Sequence, residues 1–196
     1  MMRTMSKGAP LRIAQLHWGF PPVIGGVETH LTMLLPEMVR QGHTVYLLTG
    51  ATEELSGWFD YQGVRLFRTP LMDLNWLYRR GLKGLEEGLR EVFRNFFNQA
   101  KPDLIHVHNM HYFSELHARL LEEEAKRRKI PLVLTVHNVW DDLLFVDLTR
   151  NVKWNHIISV SHFIKRELIG IGVDDQRITV IHHGIDVERY HPNIST

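Results

Sequence analysis

The sequence predicts an α/β fold: a doubly wound, mainly parallel sheet of about seven strands with helices on both faces. Three observations carry this expectation. From Leu11 onward, short apolar runs alternate with stretches whose apolar residues recur at helical spacing. The run Ile130-Pro131-Leu132-Val133-Leu134 is apolar on both alternating faces, as in a strand covered by helices on either side. The chain has 196 residues, 44% of them hydrophobic and 23% charged, which is enough for one large core.

Residues 1–10 read as a loose leader, polar and without an apolar stretch suited to a secretory signal. Residues 11–192 are expected to form the domain, and 193–196 the start of a linker. Leu11 to His17 is the first strand. After the loop from Trp18 to Gly26, the spacing of Val27, Leu31, Leu34, Leu35 and Met38 predicts a helix that Gly42 ends. Pro36 lacks the N–H for its internal bond, so this helix is expected to kink or to form in two pieces. Strands follow at Thr44 to Thr49 and Val64 to Arg68. The segments around Trp58 and Phe59, and from Thr69 to Arg80, read as long aromatic loops. The stripe Leu82, Leu85, Leu89, Val92, Phe93 and Phe96 predicts a helix that stops before Pro102. Strands are expected at Asp103 to His108, Pro131 to His137, Asn155 to Val160 and Arg177 to His182. Helices are expected near Phe113 to Lys129, Asp142 to Asn151 and His162 to Ile169.

Composition narrows the function classes. A net charge of +1 and the even spread of charge argue against a nucleic-acid arm. With no cysteine there are no disulfides, thiolate metal sites or cysteine nucleophiles, which fits a reducing compartment. Nowhere do about eighteen apolar residues run together, so no bilayer-spanning helix is expected. Arg79, Arg80 and Lys83 beside Trp76 and Tyr78 make either a solvated face or a patch for peripheral membrane contact. Thirteen histidines then stand out.

In a doubly wound sheet the first and fourth strands are neighbours at the switch point, with the fifth beside the fourth. That order brings Gly25 and Gly26, His106 and His108, and His137 to one edge of the sheet. The glycine pair opens a helix whose free N–H groups and dipole favour a phosphate. Neither G-x-G-x-x-G nor G-x-x-x-x-G-K-[ST] occurs, and the second strand ends in Thr49-Gly50 without an acidic residue, so a nicotinamide enzyme is not expected. His106 and His108 lie on the same side of their strand, and His111 follows. A metal site would suit them, but no nearby Asp or Glu completes a ligand set, and no metal is expected. His137 and Asn138 end the most apolar strand, where a polar pair points to water or a ligand. His182 and His183 would face opposite sides of a strand and so form no joint site.

The run Trp18-Gly19-Phe20-Pro21-Pro22 through Gly25-Gly26-Val27-Glu28-Thr29-His30, with Arg40-Gln41-Gly42-His43-Thr44-Val45, resembles the opening of family 4 retaining nucleotide-sugar glycosyltransferases. Three later blocks agree: Pro102 to His108, Leu134 to Asn138, and Ile158 to Ser161 followed by Val180 to Asp186 and Tyr190-His191-Pro192. The resemblance implies one half of a GT-B architecture, a Rossmann-like N-terminal domain whose C-terminal donor-binding partner domain is absent from the sequence. It implies transfer of a sugar from a nucleotide diphosphate to a carbohydrate or lipid acceptor with retained configuration, without metal or other cofactor, by a cytoplasmic protein that could act at the inner membrane face. By the same resemblance, Gly25 and Gly26 would contact the donor phosphates and His137 would lie at the catalytic centre. Glu28, His108 and Asn138 would form the acceptor side. His183 stands where the family usually has Asn, and no role is carried to it. A sugar-nucleotide epimerase or phosphorylase of the same architecture, or a non-catalytic binding module, are the alternative functions.

Overall fold

The computed structural model describes residues 8–52 and 54–187. The start of the leader, the motif Tyr190-His191-Pro192 and the linker at 193–196 lie outside the described residues. Among the described residues, eight strands form one sheet: β1 (Arg12–Leu16), β2 (Thr44–Gly50), β3 (Gly57–Tyr61), β4 (Val64–Thr69), β5 (Leu104–His108), β6 (Leu132–Val136), β7 (His156–Ser159) and β8 (Ile178–Val180). Their spatial order is β3-β4-β2-β1-β5-β6-β7-β8. Every neighbouring pair is parallel except β3 with β4. The expected doubly wound order is therefore present, with its switch point between β1 and β5.

The α-helices of the described residues are α1 (Gly26–Arg40), α2 (Leu74–Arg80), α3 (Glu86–Ala100), α4 (Glu115–Arg128), α5 (Leu143–Asn151) and α6 (His162–Gly170). Helix α1 is one helix of 15 residues that runs across Pro36 rather than two pieces. Leu31 and Leu35 lie just before the proline and are fully buried in a cluster with Val45, Leu47, Val64 and Leu66, so packing outweighs the missing hydrogen bond. Successive residues of β2 serve opposite faces. Val45 and Leu47 meet this cluster, whereas Tyr46 and Leu48 join the main core with Leu89, Phe93, Phe96 and Phe97 of α3.

Two elements differ from the sequence-based expectation. The aromatic segment at Trp58 and Phe59 is strand β3, joined to β4 by the two-residue turn Gln62-Gly63 with φ of 51° and 83°. This is a tight hairpin turn, but Gln in place of Asn or Asp removes the usual signal. Within the expected second loop lies α2, whose N-terminus is capped by the Asp73 carboxylate accepting from the Asn75 N–H. The last strand ends at Val180, so His182 and His183 lie beyond the sheet.

Alternation across the central strands has a further result. Ala14 and Leu16 of β1, Ile105 and Val107 of β5, and Leu132, Leu134 and Val136 of β6 all enter the main core. The opposite face at the same strands consequently carries Gln15, His106, His108 and Thr135, and all four are buried. A sheet centre with one apolar and one polar face is what positions the site.

Candidate functional site

The first loop is held against the sheet by two devices. Arg68 of β4 is buried and donates to the carbonyl oxygens of Phe20, Pro21 and Gly50. Gly50 ends β2 where a Cβ would come within 2.5 Å of the Trp18 carbonyl oxygen, so only glycine lets the loop approach this closely. The loop then enters α1 through Gly25, which offers the first turn no side-chain cap.

A pocket of about 450 Å³ opens there, lined among others by Gly26, Glu28, His137, Asn138, Tyr112 and His183. At Gly26 a Cβ would meet nothing within 4 Å, so this backbone faces open space. Gly25 has a different part, since its missing Cβ would sit 2.2 Å from Glu28 Oε2. It makes room for this carboxylate. Glu28 Oε1 in turn lies 3.1 Å from His17 Nε2, while His17 Nδ1 faces the His108 carbonyl oxygen at 3.3 Å. This hydrogen bond to His17 holds the Glu28 carboxyl below its ordinary pKa.

Asn109 links the ends of β5 and β6. Its backbone has φ of 52°, its Oδ1 accepts from the His137 N–H at 3.0 Å, and its Nδ2–H donates to Asn138 Oδ1 at 2.8 Å. The Tyr112 hydroxyl donates to the same Asn138 oxygen at 3.0 Å. Both predicted residues, His137 and Asn138, are thus fixed by neighbours that sequence patterning did not single out. Asn directly after a strand is the one signal available, because Asn tolerates the left-handed backbone there.

The histidines divide. His137 Nε2 lies 2.9 Å from His108 Nδ1, and His137 Nδ1 lies 3.0 Å from His183 Nε2. His30 of α1 stacks on His183 with ring centroids 4.1 Å apart. Burial, followed by the neighbouring imidazoles His183 and His30, pushes His137 down to about 2. Burial, then His183, takes His30 to about 4. His108, expected on the acceptor side, is fully buried next to His137 and is not among the residues lining the pocket. His111 packs apart from this group, edge-on against Tyr112 and Phe145. Among the described residues no three His, Asp or Glu side chains converge to hold a metal ion. His182 bonds separately to the Val160 carbonyl, whereas His183 joins the cluster.

This strand order, with a crevice at the carboxyl ends of β1, β5 and β6, is that of a Rossmann-like domain. A solved glycosyltransferase from Rickettsia africae aligns over 93% of this chain and 46% of its own, with 18% identity and a TM-score of 0.68. Anabaena HepE, solved in complex with UDP and glucose, aligns over 91% of this chain and 46% of its own at 15% identity, with a TM-score of 0.59. Residues 24–189 match the model of Glycosyltransferase Family 4, and the chain belongs to that family. The alpha-monoglucosyldiacylglycerol synthase of Streptococcus pneumoniae is 27% identical over 124 residues, which are 62% of this chain and 25% of that protein. The chain thus spans about half or less of the proteins it matches.

Proposed function

We propose that the chain is the N-terminal domain of a retaining glycosyltransferase that moves a sugar, a hexose or a related one, from a nucleotide diphosphate to an acceptor hydroxyl. The observation that carries this reading is the convergence of the α1 N-terminus at Gly26 with His137, Asn138 and Glu28 around one pocket. Negative charge grows on the departing diphosphate, and the fixed N–H groups and dipole of α1 stabilise it most when it is fully developed. In this reading Gly26 supplies the diphosphate contact and Gly25 the room that Glu28 needs. His137 stands at the transferred sugar. Glu28 and Asn138 face the acceptor, with His108 supporting His137 from behind. Glu28 is the single carboxylate among the described pocket residues and is tied to His17, so no covalent nucleophile is assigned on this half.

The nucleotide-sugar donor draws support from the HepE complex with UDP and glucose, and a lipid acceptor from the synthase relative, with a carbohydrate acceptor as the other option. No metal or other cofactor enters the proposed reaction. A second, donor-binding domain would close the cleft, and residues 11–192 would belong to the first one. No helix among the described residues is long and apolar enough to cross a membrane. A cytoplasmic protein working at the inner membrane face fits this reading.

The test is a transfer assay with a panel of nucleotide sugars and acceptors. The 196 residues alone are expected to give no product, and the full-length gene product to give one with the anomeric configuration retained. His137→Ala in the full-length enzyme is expected to lower the rate by about 100-fold or more while leaving thermal unfolding unchanged. Transfer by the isolated chain, or a fully active His137→Ala, would overturn the reading.

A further inference from the structure

The polar face of the sheet carries an unbroken row of hydrogen bonds from the pocket to the interior. His183 Nε2 lies 3.0 Å from His137 Nδ1, and His137 Nε2 lies 2.9 Å from His108 Nδ1. His108 Nε2 is 2.9 Å from Gln15 Oε1, Gln15 Nε2 is 3.2 Å from His106 Nδ1, and His106 Nε2 is 2.7 Å from Thr135 Oγ1. The four imidazoles can change tautomer and the Thr135 hydroxyl can rotate. Gln15 cannot, because its carbonyl can only accept and its NH2 can only donate.

The direction of every bond follows from that amide. Its oxygen faces His108, so His108 donates from Nε2. The second hydrogen of its NH2 points to Met38 Sδ of α1 at 3.5 Å, which suits the same orientation. A neutral imidazole that donates from Nε2 accepts at Nδ1. His108 therefore accepts from His137 Nε2–H, and His137 in turn accepts at Nδ1 from His183 Nε2–H. The requirement that these rings be neutral is met, since burial holds His106 near about 4 and His108 well below its ordinary value.

We infer that Gln15 is a positioning residue: acting through His108, it holds His137 in the Nε2–H tautomer, so that Nδ1 on the pocket side is an acceptor for a substrate hydroxyl. His183 fills that place in the free chain and is exposed, so a sugar hydroxyl entering the pocket takes over its hydrogen bond to Nδ1. A carbonyl or ether oxygen at the same point would meet a lone pair and be rejected. This last step rests on the proposed glycosyltransferase reading, whereas the tautomer assignment does not. The charged and titratable groups facing His137 and His108 from all sides are His17, Glu28, His30, His106 and His183.

Two-bond proton–nitrogen spectra of the 15N-labelled chain between about pH 6 and 8 test it. His108 and His137 are each expected to show one tautomer, protonated at Nε2 and bare at Nδ1. Gln15→Leu should convert both to mixtures. Gln15→Glu, which keeps an acceptor toward His108, should restore the single tautomer there while forcing His106 to donate from Nδ1. An Nδ1–H tautomer or a protonated ring at His137 in the unmodified chain overturns the inference, whatever the variants do. UDP-glucose added to the full-length protein should shift the His137 Nδ1 resonance. Absence of that shift, with the tautomers as stated, overturns the hydroxyl-acceptor step and leaves the Gln15 assignment standing.

Discussion

Residue by residue, the histidines of this chain are individuals. His117 is buried but satisfied, between the Ser114 hydroxyl and the Leu71 carbonyl oxygen. His111 is buried with no hydrogen-bond partner at either nitrogen among the described residues, and burial alone lowers it to about 3. An imidazole desolvated without compensation destabilises the fold it sits in. His111→Leu is therefore expected to stabilise the protein by about 1 kcal/mol and to raise the melting temperature by about 2–4 °C for a chain of this size. A lower melting temperature by calorimetry would show that the ring has a partner in solution. Sequence spacing placed His137 and Asn138 at the strand end but could not separate His108 from them. The difference between lining a pocket and lying behind its lining is one layer of packing, and period-two alternation does not record depth. Nor does alternation reach His183, which comes to the site from a loop after β8.

At the level of elements, strand order and most helices were legible because buried parallel strands and amphipathic helices write long, regular patterns. Short elements were not. In β3 the aromatic residues pack from an edge and the turn lacks Asn-Gly, while α2 has only 7 residues and a single buried side chain, Leu77. Its other side is open: Tyr78 is 91% exposed, and Arg79 and Arg80 are exposed beside it. An exposed aromatic next to two arginines matches an anionic lipid surface, with each cation contributing about 1 kcal/mol near the headgroups. Vesicles of phosphatidylglycerol and phosphatidylcholine are expected to retain the protein on flotation. Replacing Arg79 and Arg80 with Ala should weaken that binding about fivefold per arginine. Equal retention by both forms would mark this face as merely solvated.

The whole molecule inherits an acid sensitivity from its core. His106, His108, His111 and His117 are buried, and all four are held below the ordinary histidine value chiefly by desolvation. In the unfolded chain they titrate near 6.5, so above that pH neither state binds protons at these rings and the full stability is present. As pH falls below about 6.5 the unfolded state alone takes up protons, and stability drops until the folded rings titrate, near about 4 for His106 and His117 and about 3 for His111. Each ring contributes a slope of up to about 1.4 kcal/mol per pH unit. Urea midpoints between pH 7 and about 5 should fall accordingly, with a smaller fall for His111→Leu. A flat profile would mean that the rings are hydrated in the native state.

Beyond orienting one imidazole, the polar row on the sheet works as a register lock. Gln15 stands opposite His106 and His108 opposite Thr135 in neighbouring parallel strands. A slip of β1 by a single residue would carry Gln15 to the apolar face and bring Ala14 or Leu16 among the imidazoles. Such a mispaired sheet would lose on both faces, since Ala14 and Leu16 would leave the core and the buried rings would lose their partners at about 1–3 kcal/mol each. The same groups that suit the pocket for chemistry thus make the misfolded alternatives uncompetitive, and removing them would loosen the choice of strand pairing before it emptied the core.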